Sequence, residues 1–352
     1  MANRGASDYA KRIYHTAASR PTLILHRMSR TSLTSVTRAA VVWCTLAALV
    51  LSGGIAAWAS ELRPTEDFAD VAAAVDRYVD EFGPEHVLLA LDIDNTVMSM
   101  DTDLGSDHWF EWQNYLLKNE PRSRFLVAND FAGLLEVQGI LYNLGHMHPP
   151  QPELPAIIAE LQGRGIATIL LTSRGPEFRV ATERELKRCG YDFAATALPV
   201  RDVPTGPFLA YDPAKPERDG LTATEIVALK LQEPKPASYL NGIFMTAGQH
   251  KGIMLLTLLN DSARDIKAVV FVDDNVRHVG NVFSTAVDRN IEVSSFHYRH
   301  EDVRVQRFAY GDKHDVDARW RTLKRAIEEA FSVNKRSCDD GPKCRPCRTC
   351  CR

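Results

Sequence analysis

Four short stretches of the chain are apolar at nearly every position: His86–Asp92, Ile166–Thr172, Leu240–Thr246 and Ile266–Asp273. Unbroken apolar runs of this length predict strands buried on both faces, as in a parallel sheet. A further run, Ile291–His297, predicts the strand that closes the sheet. Between these runs the apolar residues recur at helical spacing, predicting helices over Glu153–Gly163, Pro176–Cys189, Lys251–Asn260 and Val276–Arg289. Ahead of them, mixed helix and loop begins at Glu61, with an amphipathic helix over Asp70–Phe82. Strand and helix alternating at this spacing predict an α/β fold with a doubly wound, mostly parallel, Rossmann-like sheet. The segment from Val97 to Gly165 is too long, at roughly 70 residues, for a simple crossover. Its first part, about 97–150, is rich in aromatic residues (Trp109, Phe110, Trp112, Tyr115) and reads as a helical cap inserted after the first core strand.

Such sheets bind ligands at the carboxyl ends of their strands, so polar residues there are the candidates for chemistry. The first strand ends in Asp92-Ile93-Asp94-Asn95-Thr96. Two carboxylates at this spacing could converge on one phosphoryl group, Asp92 attacking phosphorus and Asp94 moving protons. Alone, the pair reads equally well as an Asp-rich turn. The second strand ends in Thr172-Ser173-Arg174-Gly175, whose hydroxyl and backbone N–H groups suit phosphate oxygens or plain helix capping. After the third comes Lys251, which could neutralise charge at the mouth of the sheet or be an ordinary surface lysine. His250 beside it reads as a surface residue before a substrate contact. The fourth ends in Asp273-Asp274-Asn275. Acids closing so apolar a strand need a compensating partner, and Mg2+ suits a set of oxygen ligands.

These four elements, in this order and strand context, resemble the haloacid dehalogenase (HAD) superfamily over roughly residues 85–300. The resemblance implies Asp92 as nucleophile and metal ligand, and Asp94 as general acid and base with its backbone carbonyl on the metal. It implies Thr96, Thr172, Ser173 and Arg174 at the substrate, Lys251 as charge stabiliser, and Asp273 and Asp274 at the metal. Dehalogenase members lack the second aspartate, so Asp94 favours phosphoryl chemistry. The sequence departs from the pattern in two places. The fourth motif has no further acid until Asp288, and Asn95 stands where Gly is often found, a residue that tolerates left-handed backbone. The stretch Met100–Gln113 looks like a branch of uncharacterised, often exported bacterial HAD-like proteins. Its Asp107, His108 and Trp109 are candidates for substrate contact or, equally, for aromatic packing at a cap hinge. The expected activity is a Mg2+-dependent phosphomonoester hydrolase acting on a small organic phosphate through an aspartyl-phosphate. The alternatives are a phosphotransferase or a more specific phosphatase on the same scaffold, and a non-catalytic binding protein of the cell envelope.

Charge and the chain ends add location. The formal net charge is −3. The first 38 residues hold seven Lys/Arg and one acid, so subtracting their +6 leaves a body near −9. That argues against general nucleic-acid binding. Arg27, Arg30 and Arg38 precede the apolar run Ala39–Leu51, then Ser52-Gly53-Gly54 and Ala57-Trp58-Ala59. This is the layout of a secretory signal with cleavage before Ser60. It predicts export to the periplasm; the alternative is an uncleaved anchor over residues 39–59. Met28 is then the expected start, with residues 1–27 an extension. The organisation expected is 1–59 leader, 60–84 helical segment, 85–300 catalytic domain, 301–335 helical segment and 336–352 tail. Five of the seven cysteines lie in that tail: Cys338, Cys344, Cys347, Cys350 and Cys351. The tail reads as a disordered basic end, a disulfide-competent segment or a thiolate metal site.

Overall fold

Five consecutive apolar residues can all be buried only where a sheet is covered on both sides, and Val87–Leu91 is fully buried along its length. The computed structural model describes residues 60–201 and 204–332. The leader, the alternative anchor, the start at Met28 and the tail cysteines lie outside the described residues.

The elements in chain order begin with β1 (Glu61–Thr65), α1 (Phe68–Phe82), β2 (Val87–Leu91), β3 (Ser99–Met100), α2 (Asp107–Asn119), α3 (Phe131–Leu144) and β4 (Met147–His148). They continue with α4 (Leu154–Gly163), β5 (Ala167–Thr172), α5 (Arg179–Arg188), α6 (Ala223–Ala228), β6 (Ser238–Leu240) and β7 (Ile243–Met245). The last are α7 (Lys251–Asn260), β8 (Ala268–Asp273), α8 (Val276–Val287), β9 (Glu292–Tyr298) and α9 (Asp302–Tyr310). A first compact unit closes at Gly311. The second starts at Asp312, and its described part is the helix α10 (His314–Phe331), which carries the i, i+4 pair Arg321–Asp317 at 3.0 Å.

Seven strands form one sheet in the order β1-β9-β8-β2-β5-β7-β6, all parallel except β6. The fold is therefore α/β with a mostly parallel sheet, as the apolar pattern predicts. Alternate residues of β2 enter different cores. Leu89 and Leu91 join Phe68, Val71, Val75 and Tyr78 of α1 on one face. Leu88 and Ala90 join Ile253, Met254 and Val282 of α7 and α8 on the other. Each buried Leu, Ile, Val, Met or Phe among them contributes about 1.5–3 kcal/mol. Strand order reverses at β2, with β5 on one side and β8 on the other, the kind of switch point at whose carboxyl ends such sheets bind ligands. The insertion after β2 leaves and returns through the antiparallel pair β3–β4 and carries α2 and α3.

Three strand assignments change. Glu61–Thr65, expected as helix and loop, is the edge strand β1, paired with β9 from Glu61 opposite Ser294. Its residues alternate in burial and include Pro64, which lacks the N–H of an inner strand and is tolerated at an edge. The run Ile291–His297 consequently lies one place inside that edge rather than closing the sheet. The run Leu240–Thr246 is not one strand but part of a hairpin, β6 turning into β7 at Asn241-Gly242 with φ of 53° and 73°. Positive φ at both central residues is the hairpin turn that Asn-Gly favours.

Gly252 sets how closely α7 approaches α8. A Cβ there would collide with the carbonyl oxygen of Asn281 and the hydroxyl of Thr285. Gly252→Ala is expected to lower the unfolding free energy by about 1–3 kcal/mol, read from the midpoint of chemical denaturation. An unchanged midpoint would mean that this contact yields freely.

Candidate functional site

Two of the three central strands, β2 and β8, deliver their acids to one place. The Asp92 N–H continues the ladder past the end of β2, donating to the Val272 carbonyl at 2.9 Å. The chain then turns at once, the Ile93 carbonyl accepting N–H groups from Thr96, Val97 and Met98. Asn95 sits in the turn at φ 57°, the left-handed geometry its side chain tolerates, and its Nδ2 donates to Asp274 Oδ2 at 2.9 Å. Its amide thus ties the loop after β2 to the acids that end β8.

Lys251 is the first residue of α7 and is fully buried. Its Nζ lies 2.6 Å from Asp92 Oδ1 and 2.6 Å from Asp273 Oδ2. His250 caps this helix, its ring accepting the Ile253 N–H. Asp273 is fully buried, its Oδ1 accepting the Asn275 N–H at 2.8 Å and its Oδ2 lying 3.3 Å from His278 Nδ1. The ring of His297 bonds the backbone carbonyl of Asp274 at 2.9 Å.

One ammonium between two carboxylates polarises the pair. Burial raises Asp92, and the nearby Asp273 and Asp94 raise it further, against the pull of Lys251; it is pushed up to about 7. Burial also opposes ionisation of Asp273, but Lys251 and His278 outweigh it and hold that carboxyl at about 2. Asp274 is raised well above the ordinary carboxylate range by burial and by Asp107, Asp273 and Asp92.

The cap contributes one of these charges. Asp107, at the first position of α2, is raised by burial and by the fields of Asp94, Glu111, Asp92 and Asp273. His108 and Trp109 are both buried, His108 lying 4.8 Å from the Phe308 ring at a tilt of 52° and bonding Asp103 at 3.2 Å. Of the three candidates in that stretch, only Asp107 joins the acidic group.

Asp92, Asp94, Asp107, Asp273 and Asp274 thus stand against Lys251 and Arg174, a negative excess that a bound cation would relieve. Asp92, Asp273 and Asp274 each offer a carboxylate oxygen, and these atoms lie within 4.8 Å of one another. Such an all-oxygen set could hold a hard divalent ion. Two hydroxyls on the loops that follow β2 and β5, Thr96 Oγ1 and Ser173 Oγ, are buried without a hydrogen-bond partner. Buried hydroxyls left open in this way fit a site that completes its bonds with a ligand. The Thr172 hydroxyl accepts the Arg174 N–H at 3.1 Å and keeps its own proton to donate.

Arg174, expected at the substrate, bonds the second aspartate of the first motif. Its Nε and Nη2 donate to the two oxygens of Asp94 at 2.9 and 2.8 Å, and its Nη1 donates to Thr182 at 2.9 Å. Sequence reasoning also passed over His278 and His297. His278 lies on the first turn of the helix after Asp273, a position that strand-end reasoning could have examined. His297 reaches the site from β9, the neighbour of β8, which only the strand order reveals.

The model of the family described as "Protein of unknown function (DUF2608)" matches residues 64–332. No curated protein and no solved structure matches the chain.

The sign of the pH dependence follows from the raised Asp92. Folding keeps its proton up to about 7, so the stability that this group contributes is lost as pH rises from its ordinary value near 3.8 through 7. Asp273 acts oppositely, losing its contribution as pH falls from 3.8 towards 2. A cation must displace the Asp92 proton. The rise in melting temperature on adding Mg2+ is therefore expected to be larger at about pH 8 than at about pH 5.5. An equal rise at both pH values would place the ion elsewhere.

Proposed function

The chain belongs to this DUF2608 family, and from its site we propose that it is a Mg2+-dependent phosphomonoester hydrolase of HAD type acting on a small organic phosphate. The observation that carries the proposal is Asp92 itself. One of its oxygens is held by the buried Lys251, and it stands with Asp273 and Asp274 at the carboxyl ends of neighbouring parallel strands.

In the first half-reaction a carboxylate oxygen of Asp92 bonds to phosphorus as the ester P–O bond breaks, and the Asp94 carboxyl group gives its proton to the departing alkoxide. In the second, water attacks the phosphorus of the aspartyl-phosphate while Asp94 takes the water's proton. Inorganic phosphate leaves and Asp92 is restored. Lys251 neutralises charge on Asp92 throughout. Thr96, Thr172 and Ser173 supply hydroxyls for the phosphoryl oxygens. Asp92, Asp273, Asp274 and the Asp94 backbone carbonyl would hold Mg2+, which when bound supplies positive charge against the phosphoryl oxygens. The cap over residues 97–150 favours small substrates by limiting access. Export to the periplasm, or anchoring through residues 39–59, completes the reading; the partner is the phosphorylated substrate, with no nucleic acid.

Phosphate release from an aryl phosphate by the full chain tests it. Turnover is expected with Mg2+, lost on chelation, and reduced roughly 10³-fold or more in Asp92→Asn. Activity that survives Asp92→Asn would refute the nucleophile.

A further inference from the structure

The guanidinium of Arg174 joins three parts of the molecule. It is almost fully buried, and its two bonds to Asp94 form a planar fork on one edge of the carboxyl group. Its Nη1 bonds Thr182 on α5, which in turn donates to the Phe178 carbonyl. Its Nη2 also reaches the Met147 sulfur on β4, and its carbon sits 4.0 Å over the ring of Tyr142 on α3. Tyr142 and Met147 both belong to the leg by which the inserted cap returns to the sheet.

That leg is fastened to α5, the helix that follows Arg174 in sequence. Arg184 donates to the carbonyls of Tyr142, Asn143 and Gly145 at 2.8, 2.6 and 2.9 Å. Glu185, buried on α5, accepts the Met147 N–H at 2.8 Å, and Arg188 donates to the Met147 carbonyl. Tyr142 also packs edge-on against Phe178 at 5.3 Å. The face of Tyr142 and the sulfur of Met147 are therefore fixed relative to α5, and they wall in the guanidinium.

We propose that Arg174 is a positioning residue that sets the orientation of Asp94, and that the seated return leg of the cap holds Arg174 in place to do so. The proposal rests on the phosphatase reading above. A carboxyl group has about four lone-pair sites. The fork takes one on each oxygen, which leaves one on each, and one of these carries the proton that is given to the ester oxygen and later taken from water. Rotation of the carboxyl plane would break both bonds to Arg174. The proton of Asp94 then passes to the leaving oxygen along a direction the cap has set, as the Asp92–phosphorus bond forms and the ester bond breaks. Seating of the cap and readiness of the acid are one event.

The test compares two esters hydrolysed by the full chain with Mg2+. The para-nitrophenolate leaving group departs without a proton; an alkyl phosphate needs one. In Arg174→Lys, kcat on the alkyl phosphate is expected to fall about 10²-fold or more, and on para-nitrophenyl phosphate less than about tenfold. Guanidinium ion added to Arg174→Ala is expected to restore part of the alkyl phosphate rate. Tyr142→Leu should shift the ratio of the two rates in the same direction and Tyr142→Phe should leave it at the parent value. If Arg174→Ala does not fold, the Tyr142 pair carries the same comparison. Equal losses on both esters, or a ratio unmoved by Tyr142→Leu, would overturn the positioning role while leaving the phosphatase reading standing. A parent protein that hydrolyses neither ester would overturn both.

Discussion

One buried ammonium holds the centre of the molecule together. Lys251 Nζ lies 2.6 Å from carboxylates at the ends of two adjacent strands, with no exposed surface of its own. Taking three charged groups out of water costs several kcal/mol each, and their mutual attraction offsets this only in good geometry. Removing one member of such a group costs about 3–5 kcal/mol, because the others stay buried and uncompensated. Several features follow from that constraint. α7 must begin at the mouth of the sheet, with Gly252 letting it lie against α8. Asp92 and Asp273 must finish neighbouring parallel strands, which the β2–β8 register brings about. With only one ammonium between them, the two acids ionise at different pH, Asp273 first and Asp92 later.

Around that centre the insertion is tied down more firmly than a flexible lid would be. On the outgoing side, Asp101 bonds the backbone of His146, and the Tyr191 hydroxyl donates to the Val97 carbonyl. Within the cap, Gln138 donates to the Gly105 carbonyl, and Gln113 bridges the loop at Phe125 and Val127. On the return side three charged residues of α5 grip backbone groups of residues 142–147. Of these three only Glu185 is buried, so the Met147 N–H that it accepts is the costly bond to release. Asp107, at the start of α2, brings a carboxyl group of the insertion to the acidic group, where burial and the neighbouring acids favour its neutral form.

Much of this was legible in the sequence, for a physical reason. Inner strands of a parallel sheet are apolar on both faces, so Val87–Leu91, Ala167–Thr172 and Ala268–Asp273 stand out within a residue or two of their true limits, and an acid or hydroxyl ending such a run is conspicuous. The edges obey other rules. β1 alternates in burial and contains Pro64, so it carries none of that signal. The β6–β7 hairpin was hidden inside an apolar run, although Asn241-Gly242 is itself a turn signature that could have split it. Site residues divided in the same way. Those that end strands were found from the strands. Arg174 was found, but its partner was not: a bidentate bond across 80 positions of sequence, from a loop residue to Asp94, has no local pattern. Asp107 was one of three candidates in its stretch, and His278 was missed; both sit on first helical turns whose facing depends on how the helices dock.

Trapping the phosphoryl group bears most directly on Asp92. The full chain with Mg2+ and an aryl phosphate, quenched in acid during turnover and digested, should yield a peptide one phosphoryl group heavier, with the added mass on Asp92. The same peptide from Asp92→Asn should carry none. A phosphoryl group found on another residue, or turnover without any covalent adduct under conditions where the first half-reaction outpaces the second, would contradict a mechanism that begins at Asp92.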